Sequence, residues 1–364
     1  GKPGWYDALN GLPGLLGSSM AETCELVRTL HFLAQALEEQ KGTMLLYEEM
    51  GQLLISVTEA YRFARTPYER WDLTNTAKET YREQTLNGPL GACMEFSCSQ
   101  AAQSLRLFES VLREGIEQAA GIGNGICPTY FSYEAGQTKE NRQGLMPESL
   151  TPHLLPLFLE GPVHWMKLGQ SRSEKEAVAR KIQESGLYDR KLQMYKVNES
   201  LKDVTFEAGR ALAFTPGWLE NESIWLHMEY KYLLELLRSG LYEQFGEAFR
   251  RAAVPFLNPE VYGRSTFENV SFIASSANPN PAVHGRGFVA RLSGSTAEFT
   301  EIWKLMFFGG ELFSCADQDK AEGRQILRLR LQPYLPDSLI PESGEVSAVF
   351  MGSAEVTYHR NFSG

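Results

Sequence analysis

The sequence predicts a mainly α fold, an α/α barrel or toroid with a small C-terminal β region. Three observations carry this. Apolar residues recur at helical spacing over most of the 364-residue chain. The helical segments follow one another in pairs, separated by loops rich in Gly, Pro and aromatic residues. From about residue 311 the pattern changes to the alternation of strands. A solenoid of helix pairs is the rival, but no fixed repeat period is present.

The helical segments run in order. "MAETCELVRTLHFLAQALEEQ" sets Leu26, Leu30, Leu33 and Leu37 on one stripe edged by Glu. "EEMGQLLISVTEAYRFAR" and "YERWDLTNTAKETYREQT" are parted by Pro67, and "CSQAAQSLRLFESVLREGIEQA" runs into the Gly-rich break "GIGNGICPTYFSYEAG". "SLTPHLLPLFLEGPVHWMKLG" is apolar, but Pro152, Pro156 and Pro162 allow only short or kinked helix there. "SRSEKEAVARKIQESG" has a Ser start and a Gly stop. The segment from Asn221 to Leu257 reads as two helices hinged near Gly240, and "STAEFTEIWKLMFFGG" as one capped by Ser295 or Thr296 and ended by Gly309. In the tail, "RQILRLRLQPYLP" alternates apolar residues with Arg, and "EVSAVFMGSAEVTYHRN" gives two short strands around Gly352. The expected organisation is residues 1–310 as the helical part and 311–364 as the β region.

Composition bounds the function. With 43% hydrophobic and 11% aromatic residues, the chain can bury a large core. A net charge of -10 argues against nucleic acid and anionic membranes as partners, because phosphate needs a basic face. No apolar run approaches the roughly 20 residues of a membrane span. The five cysteines, at 24, 93, 98, 127 and 315, form no CxxC pair and suit the reduced thiols of a cytoplasmic protein. The six histidines are dispersed, with no HxxxH or HExxH spacing, so no metal site is expected.

Three loops mix Gly, acids, His and aromatics in ways that suit chemistry. In "GWYDALNG", Asp7 follows Trp5 and Tyr6; a carboxyl beside aromatic rings suits a general acid with a raised pKa, and Trp5 suits sugar stacking. Asp7 also fits a plain turn cap near Asn10 and Gly11. In "FTPGWLENESIWLHMEY", Glu222 reads as a cap in the first helical turn, and His227 as either a site residue or a satisfied core histidine. In "HGRGFVARLSGSTAEF", Ser293, Gly294, Ser295 and Thr296 fall where a helix begins, with His284, Arg286 and Arg291 upstream. Free N–H groups and the helix dipole make such a start an anion site, or an ordinary N-cap. A fourth, weaker loop is "GIGNGICPTYFSYEAG".

Taken in order, "GWYDALNG", "ENESIWLH" and "HGRGFVARLSGSTAEF" resemble the motif blocks of glycoside hydrolase family 94, the inverting disaccharide and oligosaccharide phosphorylases, and most of all its 1,2-β-oligoglucan phosphorylase branch. The resemblance is tight only in the blocks. It implies a partial (α/α)6 barrel followed by a C-terminal β element, as the C-terminal part of a longer enzyme that begins just before its catalytic acid. Residue by residue, Asp7 matches the family's general acid and Trp5 a residue lining a sugar subsite. Tyr6 stands where the family has Asn and is expected to contact substrate, as is Glu220, which heads the second block. His227 matches a phosphate-contacting His, and Ser293 with Gly294 a phosphate-holding Thr-Gly pair. Arg286 is a further phosphate candidate without a place in a family motif.

The reaction implied is reversible, inverting phosphorolysis of a β-glucosidic linkage, giving α-glucose 1-phosphate and a shortened glucan. Inorganic phosphate is then the co-substrate, a β-glucan oligosaccharide the partner, and no other cofactor is needed. Phosphorolysis requires one carboxylic acid and an anion site, whereas inverting hydrolysis requires a second carboxylate as base. The alternatives are an inverting β-glucan hydrolase, with Glu220, Glu222 or Glu268 as base, and an inactive glycan-binding fragment. Family members often form dimers, so the resemblance implies a homodimer.

Overall fold

The computed structural model describes residues 4–141, 144–290, 293–316 and 326–360; of residues 141, 144, 290, 293, 316 and 326 it describes the backbone only. Arg291 therefore lies outside the described residues. The chain divides into two compact units: Gly1–Leu168 with Asp203–Leu212, and Gly169–Lys202 with Ala213–Gly364.

In the first unit, α1 (Met20–Glu38) packs along α4 (Cys98–Ile122), and α2 (Glu48–Phe63) packs on α3 (Pro67–Gln84). A two-stranded ribbon, Thr43–Tyr47 with Cys93–Ser97, leads into α2 and α4. A three-stranded antiparallel sheet sets Tyr130–Ala135 between Ser18–Ser19 and Leu150–Leu154, and α5 (Glu160–Met166) follows. Met20, Cys24, Val27, Ile116, Ala119, Cys127, Phe131 and Leu168 form a core where α1, α4 and this sheet meet.

The second unit opens with α6 (Arg172–Glu184), started by a complete Ser171–Glu174 capping box. A tight pairing of Tyr188–Asp189 with Met194–Tyr195 follows. Then come α7 (Leu226–Arg238), α8 (Tyr242–Ala252) beyond a left-handed Gly240, the single-turn α9 (Pro259–Tyr262) and α10 (Ser293–Phe308), which packs on α7. An antiparallel sheet of Ile224–Trp225, Val270–Ile273 and Gly287–Ala290, with Val270–Ile273 central, feeds α7 from one strand and α10 from another. Two antiparallel pairs close the chain, Phe313–Ala316 with Ile326–Leu329 and Glu345–Phe350 with Ala354–His359, the latter turning at Gly352.

The barrel or toroid is not what forms. About 48% of the structure is helix and 19% strand, arranged as ten helices and several small antiparallel sheets, with no closed barrel among the described residues. The cause lies in segments expected to be irregular or kinked. "SLTPHL" holds the strand Leu150–Leu154, and Pro152 is tolerated because this strand is at the sheet edge, where a missing N–H removes no ladder bond. "TYFSYEA" is the central strand of the same sheet. The α1 stripe is also rotated: Cys24, Val27, Leu30 and Ala34 face the core, while Leu26 and Leu33 are 47% and 43% exposed. Among the described residues no helix is long and apolar enough to cross a membrane.

Candidate functional site

The acid loop belongs to the first unit. Tyr6, Ala8 and Leu9 are fully buried, and Asp7 between them is exposed. The Leu9 N–H donates to the Tyr6 carbonyl (3.2 Å), closing a turn with Asp7 at its first corner. Burial of the flanking residues thus turns the carboxylate outwards, and no hydrogen bond or ion pair engages its side chain among the described residues. Tyr6, expected to contact substrate, is instead a core ring: it meets Phe158 edge-on at 4.8 Å and 87°, and Phe158 meets Tyr130 the same way at 5.0 Å.

The loop is clamped from behind by residues 205–212. Gly11 N–H donates to Ala208 O (3.0 Å), Ala211 N–H to Ala8 O (3.0 Å), and Arg210 N–H to Asn10 Oδ1 (3.1 Å). The approach is so close that a β-carbon on Gly11 would lie 1.8 Å from the Glu207 carbonyl oxygen. Gly209 sits at φ 143°, and a β-carbon there would meet Ala8 O at 2.5 Å. Both glycines are therefore required by backbone contact. These contacts tie the loop to residues 208–211.

Sequence reasoning missed the residues that support Trp5. The Trp5 N–H donates to Glu160 Oε1 (3.3 Å), and the Tyr130 hydroxyl donates to Glu160 Oε2 (2.7 Å). Burial raises the Glu160 carboxyl above its ordinary value, and the Tyr130 hydrogen bond opposes the rise. No local motif announces Glu160, which reaches Trp5 only through the fold.

The anion-type site belongs to the second unit. The three-stranded sheet delivers Ile224–Trp225 directly into α7, so His227 falls in its first turn. Its third strand leads to the start of α10. A β-carbon on Gly294 would lie 2.6 Å from both Cε1 and Nδ1 of the His227 ring, so only glycine lets the first turn of α10 rest against this imidazole. His227 Nε2 and Lys231 Nζ each stand 3.8 Å from Glu298 Oε1, on the second turn of α10. Lys231 also escaped the sequence reading, although its spacing of four from His227 puts both on one helix face. The result is an imidazole and an ammonium gathered at a helix N-terminus, with one carboxylate held loosely between them. The Ser293 side chain lies outside the described residues. Arg286, the further phosphate candidate, has its guanidinium over Gly263, at the end of α9.

The "ENES" block is a strained loop ahead of α7, and Glu222 is not the helix cap expected of it. Leu219 and Glu222 hold left-handed φ values of 49° and 58°, which cost non-glycine residues about 1–3 kcal/mol each. The surroundings enforce this. Glu222 is buried and ion-paired to Lys196 (2.7 Å), its N–H donates to Asn198 Oδ1 (3.0 Å), and the Ser223 hydroxyl donates to the Leu219 carbonyl. Glu220 is half-buried in the turn. No known family model matches the chain, and no curated protein matches it either.

Proposed function

We propose that the protein is an inverting carbohydrate phosphorylase that cleaves a β-glucosidic linkage of a glucan oligosaccharide with inorganic phosphate, reversibly, to give α-glucose 1-phosphate. The proposal rests on the resemblance of the three blocks to glycoside hydrolase family 94. The single structural observation that supports it is the close approach of the His227 ring to Gly294, which sets an imidazole against the first turn of α10. Asp7 donates a proton to the departing glycosidic oxygen. His227, Lys231 and the first N–H groups of α10 hold phosphate, whose oxygen attacks the anomeric carbon with inversion. Phosphate arrives already nucleophilic, so no second carboxylate is needed. Of the acids that a hydrolase would draw on, Glu222 is ion-paired to Lys196, and Glu268 stands 3.8 Å from Arg264.

The test is glucose 1-phosphate formation from 1,2-β-, 1,3-β- and 1,4-β-gluco-oligosaccharides, with and without inorganic phosphate. Phosphate-dependent glucose 1-phosphate is expected. Release of free glucose at the same rate without phosphate would refute the reading and favour hydrolysis. Asp7→Asn is expected to lower turnover by at least about 100-fold, the scale of general acid catalysis, while leaving oligosaccharide binding in place.

A further inference from the structure

A cavity of about 1110 Å³ in the second unit shares no residue with the anion-type site. It is a groove lined by α6, α8, the Tyr188–Tyr195 turn and residues 334–338. Its chemistry is specific. In its lining Tyr242 and Tyr334 stack at 4.1 Å and 12°, and the Tyr334 hydroxyl donates to the Tyr242 carbonyl (3.1 Å). One face of Tyr242 is thereby occupied, yet the residue remains 43% exposed. Tyr188, Tyr195 and Tyr232 also line it and pack at 5.1 and 4.7 Å, with Tyr195 and Tyr232 buried. The lining also carries both signs of charge and amides, among them Arg180, Glu247, Arg251 and Gln183.

We propose that this groove is a carbohydrate-binding site for a neutral oligosaccharide. Each feature narrows the ligand. Tyrosine faces offer flat, amphipathic platforms that match the C–H faces of sugar rings. Carboxylate, guanidinium and amide groups together supply donors and acceptors for hydroxyls that present both. Four acids (Glu176, Glu243, Glu247 and Asp337) against three arginines (Arg180, Arg250 and Arg251) leave no basic field for a polyanion. So many charged groups would be costly to cover with an apolar ligand. The volume exceeds the roughly 300–1,000 Å³ of small-molecule sites, which favours several linked sugars over one. The site would hold glucan without chemistry and raise its local concentration at the protein.

Isothermal titration with linear hexasaccharides of 1,2-β-, 1,3-β- and 1,4-β-linked glucose tests this, in the Asp7→Asn background so that no turnover intervenes. Binding is the readout, so absence of phosphorolysis leaves the outcome interpretable. At least one hexasaccharide is expected to bind in a component that Tyr242→Ala weakens about tenfold, the value of one lost stacking face. Arg251→Ala and Gln183→Ala, both exposed side chains, are expected to weaken the same component with unchanged thermal midpoints. Binding of all three sugars unchanged in the three variants overturns the proposal, as does absence of binding in the parent. A parent dimer that Tyr242→Ala converts to monomer also overturns it, because the groove would then be covered by a second copy.

Discussion

At the scale of single residues, Gly294 is the position where sequence and structure make the sharpest joint statement. A glycine early in a helix weakens it, by about 1 kcal/mol relative to alanine. Here that cost is offset by an approach no other residue allows, since the β-carbon would overlap the His227 ring. Gly294→Ala must push the imidazole aside. Losing one charge-assisted contact is worth about 1.5–3 kcal/mol, so KM for phosphate is expected to rise at least tenfold with a smaller change in kcat. Initial rates against phosphate concentration decide this; an unchanged KM would remove His227 from the phosphate site. Asp7 makes a contrasting point. Its neighbours read as a functional loop, but Tyr6, whose burial helps to turn Asp7 outward, packs on Phe158 and Tyr130, far away in sequence.

At the scale of elements, the Ser171 cap, the glycine breaks and the C-terminal hairpin around Gly352 were legible. The caps expected at Glu222 and at Ser295 or Thr296 were not, since α10 starts at Ser293, and neither were the strands of the three-stranded sheets. The Ser171 start of α6, the break at Gly240 and the Gly309 stop are local signals: a side chain that satisfies N–H groups, or a residue at home with positive φ. The strands of the two three-stranded sheets are only two to six residues long, too short for a two-residue period to stand out. Even where the helix was clear, as in α1, the buried face was not. Leu26 and Leu33 obey helical spacing as well as Cys24, Val27 and Ala34 do, and partner surfaces alone choose between them. The strained "ENES" loop was recognised as a block, but its ion pair to Lys196 comes from a distant turn.

Helix α7 carries a prediction of its own. Glu229 is wholly buried; its Oε1 accepts from the Tyr195 N–H (3.0 Å), and its Oε2 has no partner among the described residues. Burial pushes this carboxyl up to about 8, with the Asp189 charge adding to the rise. The folded protein therefore keeps a proton on Glu229 where the unfolded chain, with an ordinary carboxyl near 4.5, has released it. Unfolding free energy must fall as pH rises from about 4.5 to 8, by an amount on the order of a few kcal/mol. Glu229→Gln, neutral at every pH, is expected to flatten this part of the profile. Urea unfolding at pH 5, 6, 7 and 8 measures it, and parallel profiles for the two proteins would show that Glu229 is ionised in the fold.

At the scale of the whole molecule, two properties pull in opposite directions. The net charge of -10 repels like copies. Against it, the helices of the first unit expose large apolar side chains: Phe32 at 69% and Phe63 at 73%, with Leu26, Leu33, Trp71 and Leu73 also open to solvent. Single exposed apolar residues are ordinary, but six on three consecutive helices are more than scattered examples. Charge repulsion is screened by salt, since the Debye length falls from about 30 Å at 0.01 M to about 3 Å at 1 M, whereas hydrophobic attraction is not. Self-association should therefore strengthen with sodium chloride. Sedimentation velocity at fixed protein concentration is expected to show a larger mean sedimentation coefficient at 0.5 M than at 0.02 M salt. The double variant Phe32→Ser and Phe63→Ser is expected to lose most of that increase. If association instead weakens as salt is added, charge pairing between copies drives it, and the apolar helices of the first unit are not the contact.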